Sequence, residues 1–271
     1  MKITFSHLFA LLLVLLIVWS AVSAPVPLPE VNERSAVADI PIEKVFATIA
    51  AENDVVRTLY TQSIVGAGKK VGLHFDENWE NEGVDAGPLP ALFLSKAAAS
   101  LSRQNIGLEL VLGSHMPITP TNAFKGDQIG RFESIQKSRK PEFFMDSRTG
   151  LQVAMFPDIA AAQACVTCHN EHPASPKTDW VLNDVMGATT WSYPHTSVGE
   201  AEYLQIIASV RTSFRDAYRS YLTKINSFKD KPEIGNQWPS EGNFIPDEKT
   251  FMDAFAKKAS PSTVIQLLEG H

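Results

Sequence analysis

The stretch Glu142-Phe143-Phe144-Met145-Asp146-Ser147-Arg148-Thr149-Gly150-Leu151-Gln152-Val153-Ala154-Met155-Phe156 decides the fold class. Two apolar runs, Glu142 to Asp146 and Leu151 to Phe156, flank the turn-forming Ser147-Arg148-Thr149-Gly150. That pattern predicts a β-hairpin. Upstream, Ile106, Leu108, Leu110 and Leu112 alternate with Gly107, Glu109 and Val111, the period of a half-buried strand. Downstream, Val185 to Tyr193 reads as a further strand.

Helical periods surround these strands. From Ile42 to about Val65, the residues Val45, Ile49, Val56, Leu59, Tyr60 and Ile64 fall near one stripe, and Gly66, Gly68 and Gly72 end it. Leu89 to Gln104 predicts a second helix facing inward through Leu92, Phe93, Ala97 and Leu101. Asp127 to Ser138 predicts a short one carrying Ile129, Phe132 and Ile135, and Asp158 to Ala164 starts another that leads into the cysteines. Gly199 to Phe228 is long and amphipathic, and a last helix is expected near Thr250 to Lys258. Leu73 to Gly87 and the Pro-rich Met116 to Phe124 read as loops. The order predicts an α+β domain with a small antiparallel sheet, over residues 42–228. Residues 25–41 form a linker before it and residues 229–271 a C-terminal extension.

Bulk properties narrow the classes. A chain of 271 residues suits one sizeable domain or two small ones. With 44% hydrophobic and 20% charged residues, wholesale disorder is excluded. The net charge of -6 offers no basic footprint, so no nucleic-acid partner is expected. Met1-Lys2, the apolar run Leu8 to Val22 and the small residues Ala21-Val22-Ser23-Ala24 have the layout of a secretory signal. Pro25 is unfavourable just after a cleavage point. Residues 1–24 are therefore either a cleaved signal or an uncleaved membrane anchor, since Phe5 to Ala24 is just long enough to span. Both readings place the rest of the chain in the periplasm or otherwise outside the cytoplasmic membrane.

The two cysteines of the chain, Cys165 and Cys168, stand three positions apart and are followed by His169. Cys-x-x-Cys-His supplies two thiols for the two vinyl groups of one porphyrin and an imidazole for the iron. One covalent haem c is therefore expected, held by Cys165 and Cys168 with His169 as iron ligand. A thioredoxin-like site would want a βαβ context. A structural zinc site would use Cys165, Cys168, His169 and His172. A local disulfide is the third alternative. The export signal favours haem, because attachment takes place outside the cytoplasm.

The run continues as Cys168-His169-Asn170-Glu171-His172-Pro173-Ala174-Ser175-Pro176-Lys177-Thr178-Asp179-Trp180, then Asn183-Asp184-Val185-Met186-Gly187. It resembles a periplasmic c-type haem-binding, sensor-like domain family that shows CxxCHN-x-HP-x-SPK-x-DW and a following Gly-Asp-Val-x-Gly-like turn. The resemblance implies a PAS-like fold, a small antiparallel sheet flanked by helices. It also implies a redox or diatomic-gas sensor. Asn183 stands where glycine is usual, which bears on a turn and not on the haem. His172 and Lys177 face the haem propionates in one reading and solvent in the other. Trp180 packs on the porphyrin or in a core, and Asp179 caps a turn.

Function turns on the sixth iron ligand. With no third cysteine, the candidates are His74, His115, His172, His195, Met116, Met145, Met155 and Met186. His115 is preferred as the metal ligand opposite His169, because it ends a predicted strand where a PAS-like sheet would open towards its ligand; His195 comes next. No enzyme constellation appears besides the haem: Ser114-His115 lacks an acid partner, and Gly66-Ala67-Gly68-Lys69-Lys70 lacks phosphate-loop spacing. The leading expectation is an exported haem sensor acting on a separate partner. A periplasmic electron-transfer cytochrome with a redox partner protein is the alternative, and haem catalysis a weaker third.

Overall fold

Four strands, β1 (Glu109–Gly113), β2 (Glu142–Met145), β3 (Gln152–Ile159) and β4 (Val185–Tyr193), form an antiparallel sheet in the order β1-β4-β3-β2. This computed structural model describes residues 39–242 and 244–268, together with Trp19. The expected signal or anchor and most of the linker lie outside the described residues.

The hairpin turn is built around one buried carboxylate. Asp146 is 2% exposed, and its Oδ1 accepts from the amides of Arg148 and Thr149 at 3.0 and 2.9 Å and from the Thr149 hydroxyl at 3.1 Å. Gly150 takes a φ of 72°, open to glycine at low cost, and lets the chain return. The resulting register sets Phe143 opposite Ala154 and Phe144 opposite Val153.

Strand alternation then sorts the side chains into two faces. Leu110, Ala154 and Trp191 belong to a large core against the helices α1 (Ile42–Leu59), α2 (Pro90–Ser102) and α5 (Glu200–Ile225). Val153, Met155 and Ala188 face the other way and pack on Phe132 and Ile135 of α3 (Asp127–Ser138). The mixed helix-and-sheet class with a small antiparallel sheet is thus present. Of the three apolar residues of α3, Phe132 and Ile135 are buried and Ile129, about 120° round the helix from Ile135, is 46% exposed.

Three boundaries differ from expectation. Asp158 does not start a helix: β3 runs on to Ile159 through its pairing with β4, and the helix that carries the cysteines begins at Gln163. The first helix does not stop at Gly66: π-helical turns over Tyr60–Gly66 and an α turn over Ala67–Lys70 carry it on. A Cβ on Gly68 would lie 3.0 Å from Leu73 and 3.1 Å from Phe75, so this glycine serves close packing of the returning chain. The reversal comes at Gly72, whose φ is 94°. The last helix, α6 (Glu248–Leu268), is longer than expected. Phe251 of α6 stacks on Tyr218 with ring centroids 3.9 Å apart, and Ile245, Phe251, Phe255 and Ala259 are buried in the large core. Fully buried Glu52 of α1 pairs with Arg211 of α5 and accepts from the Thr263 hydroxyl of α6 at 2.8 Å. The segment after residue 228 is therefore packed into the same core as the sheet.

Replacing Asp146 with Ala strips the turn amides of their acceptor. The expected loss is about 1–3 kcal/mol of unfolding free energy, read by denaturant titration. An unchanged midpoint would show that the turn does not depend on this carboxylate.

Candidate functional site

Chain direction places the cysteine motif. β3 ends at Ile159, residues 160–162 turn away, and α4 (Gln163–Glu171) begins. At about 100° per residue, Cys165, Cys168 and His169 fall on one stripe of α4, with Val166 and Asn170 on the neighbouring one. The second stripe anchors the helix. Val166 is 5% exposed and clusters with Ala160, Trp180 and Met186. The Asn170 side chain clamps Trp180, accepting from its amide and donating to its carbonyl, both at 2.9 Å. The first stripe is left for chemistry: Cys165 and Cys168 are exposed free thiols.

His169 is half-buried, and its Nδ1 is buried with no hydrogen-bond partner. Burial lowers its pKa, Asp158 pulls it back up, and nearby His172 lowers it again. The net fall favours the neutral imidazole, the form that binds a metal. Burial, Glu77 and Cys165 raise the Cys168 thiol, and Lys69 opposes them.

The groups that surround this stripe come from α1, its extension and the ends of the central strands. The Arg57 guanidinium bonds Asp158 of β3 at 2.6 Å and reaches the Thr189 hydroxyl of β4 at 3.5 Å. The side chains of Arg57 and Asp158 are 28% and 29% exposed. Burial works against the Arg57 cation, but the charge and hydrogen bond of Asp158, with help from Asp54 and Cys165, hold it above its ordinary range. Sequence reasoning missed Arg57 and Asp158. The available signal was slight: Asp158 follows an apolar run, and Arg57 is one of several charges along α1.

A β-bulge shapes the base of the site. Asp158 sits opposite Gly187 and Ile159 opposite Val185, which leaves Met186 as the extra residue. The Ser114 hydroxyl donates to the Met186 carbonyl at 2.6 Å. A Cβ on Gly187 would run into the Gly113 carbonyl oxygen, so only glycine allows β1 so close. Asn183, in the loop before β4, has a φ of 71°. Asparagine tolerates this left-handed region better than most residues, which suits it to this turn.

The companion residues have defined places. Both ring nitrogens of His172 are engaged: Nδ1 accepts from the Ala174 amide at 3.1 Å and Nε2 bonds Glu77 at 2.8 Å. Lys177 pairs with Asp179 and lies 4.7 Å over the Trp180 ring. Trp180 is 5% exposed in the small cluster under α4. His115 is exposed just beyond β1 and meets Phe132 edge-on at 4.8 Å, on the α3 side of the sheet. His74 is exposed on the loop that also carries Glu77. His195 is exposed past the far end of β4, and Met155 is buried against α3. Met116 and Met145 are exposed, while Met186 packs on the Val166 cluster.

The fold and site define an α+β domain that presents two free thiols and a histidine on one helix stripe, beside an Arg–Asp pair. The sequence pattern of the Tll0287-like family matches residues 35–194. The chain belongs to that family. No curated protein and no solved structure matches the chain.

Replacing Gly187 with Ala should cost about 1–3 kcal/mol, because the clash is with backbone. Asn183→Gly should be neutral or slightly stabilising, whereas Asn183→Val should cost about 1–2 kcal/mol. Thermal unfolding of the three variants checks the order, and a stable Gly187→Ala protein would contradict the close approach of β1.

Proposed function

We propose that this chain is an exported c-type haem protein that acts as a redox or diatomic-gas sensor module with a PAS-like sheet. The observation that carries the reading is the α4 stripe: two exposed, unpaired thiols one turn apart, followed by an imidazole with an unpartnered buried nitrogen. That donor set fits haem c. Cys165 and Cys168 would hold the porphyrin through thioethers and His169 would ligate the iron, which supplies the redox and gas chemistry. Membership of a family linked to c-type haem sensor-like domains supports the same reading.

The rival chemistries fit less well. A local disulfide would use the two thiols but give the neighbouring His169 imidazole no role. A zinc site through His172 would need a nitrogen that is already bonded to Glu77 or to the Ala174 amide. Among the described residues, no group of three or more His, Cys, Asp or Glu side chains is arranged to hold a metal ion.

Two of the histidine candidates for the sixth position lie on segments that touch the elements of the site. His115 follows Ser114, whose hydroxyl reaches the Met186 bulge beneath α4. His74 lies on the loop that touches α4 through Glu77 and His172. The electron-transfer alternative requires one of them, or a methionine, to bind firmly in both redox states.

Expression with a cytochrome c maturation system should yield one haem per chain by pyridine haemochrome assay, and the Cys165→Ala, Cys168→Ala double variant should yield none covalently bound. The ferrous protein should take up CO, with a shifted Soret band. Refusal of CO in a low-spin protein would favour the electron carrier, and zinc without haem would overturn the proposal. His115→Ala and His74→Ala each test one candidate: a changed resting spectrum identifies a sixth ligand, and unchanged spectra in both leave the position to another residue or to the gas.

A further inference from the structure

Asp158 occupies a constrained position. It is the last regularly paired residue of β3 before the bulge, opposite Gly187, and its carboxylate faces α1. Arg57 fixes it from α1 at 2.6 Å while also reaching Thr189. Ion pairs at this depth are worth having only when geometry and further hydrogen bonds compensate lost hydration. The pair does not stand alone in the core. Met186, the bulge residue beside Asp158's partner Gly187, packs against the cluster that holds Val166 of α4, so the pair lies at the sheet end on which the motif helix docks, and its carboxylate favours the charged form of His169. Only residues 160–162 separate the end of β3, which carries Asp158, from α4.

We infer that Asp158, held by Arg57, is a positioning carboxylate that sets the electrostatic environment of His169 and thereby the redox poise of the iron. This rests on the haem reading above. Oxidation adds one positive charge at the iron, and a nearby carboxylate stabilises the oxidised form while a nearby cation opposes it. The two members of the pair therefore act with opposite signs. Partial burial keeps both contributions from being fully screened by solvent.

The test is spectroelectrochemistry of the haem-loaded full chain. Asp158→Asn removes the negative charge and should raise the midpoint potential. Arg57→Gln uncovers the carboxylate and should lower it. Each shift should be about tenfold in the one-electron equilibrium constant, which is about 59 mV. The double variant should return close to the starting value. Arg57→Lys keeps the charge and should stay near the wild type, and thermal unfolding of each protein establishes that it is folded. A merely structural role would loosen the site and move both single variants in the same direction. That result, or equal potentials in all proteins, overturns the inference while leaving the haem reading intact. Failure of the wild-type chain to acquire haem overturns the haem reading and this inference with it.

Discussion

The pairing of β3 with β4 is the constraint on which the rest of the molecule depends. It aligns Asp158 with Gly187, forces Met186 into a bulge, and releases the chain into α4 at one fixed point. Everything at the site inherits its place from that register. A slip of one residue would turn Asp158 away from Arg57 and send Ala154 and Trp191 out of the large core. The hairpin turn around Asp146 sets the neighbouring pairing of β2 with β3, so a buried carboxylate far from the cysteines contributes to their placement.

The two stripes of α4 divide the labour between stability and chemistry. Nine residues are too few for an isolated helix in water. Val166 and the Asn170 clamp on Trp180 dock the helix by one side, which leaves the cysteines free on the other. The same economy governs the loop before β4, where Asn183 in a left-handed turn and Gly187 beneath β1 meet backbone demands. The Asn and Trp of the family-like motif thus have a packing reason that is independent of any cofactor.

Arg57 and Asp158 link the frame to the site. One comes from the first helix and one from the central sheet, and they meet under a helix that follows both in the chain. The pair ties α1 to the end of β3 from which the chain enters α4. The C-terminal helix strengthens the frame from the other side, through Glu52, Arg211 and Thr263 and through the Tyr218–Phe251 stack.

The sequence by itself determined the local features. Period-two alternation marked β1, turn chemistry marked the hairpin, and the spacing of Cys165, Cys168 and His169 marked the Cys-x-x-Cys-His motif, because each depends only on neighbours along the chain. It misjudged the helix end at Gly66, since the glycines there answer to Leu73 and Phe75 and not to a helix stop. It took residues 229–271 for an extension, because single aromatic residues do not announce that they will stack on Tyr218. Only the tertiary structure decided which charges surround His169. Arg57 and Asp158 are 101 positions apart, and no period or motif carries information over that distance; it is the β3–β4 register and the packing of α1 on the sheet that bring them together.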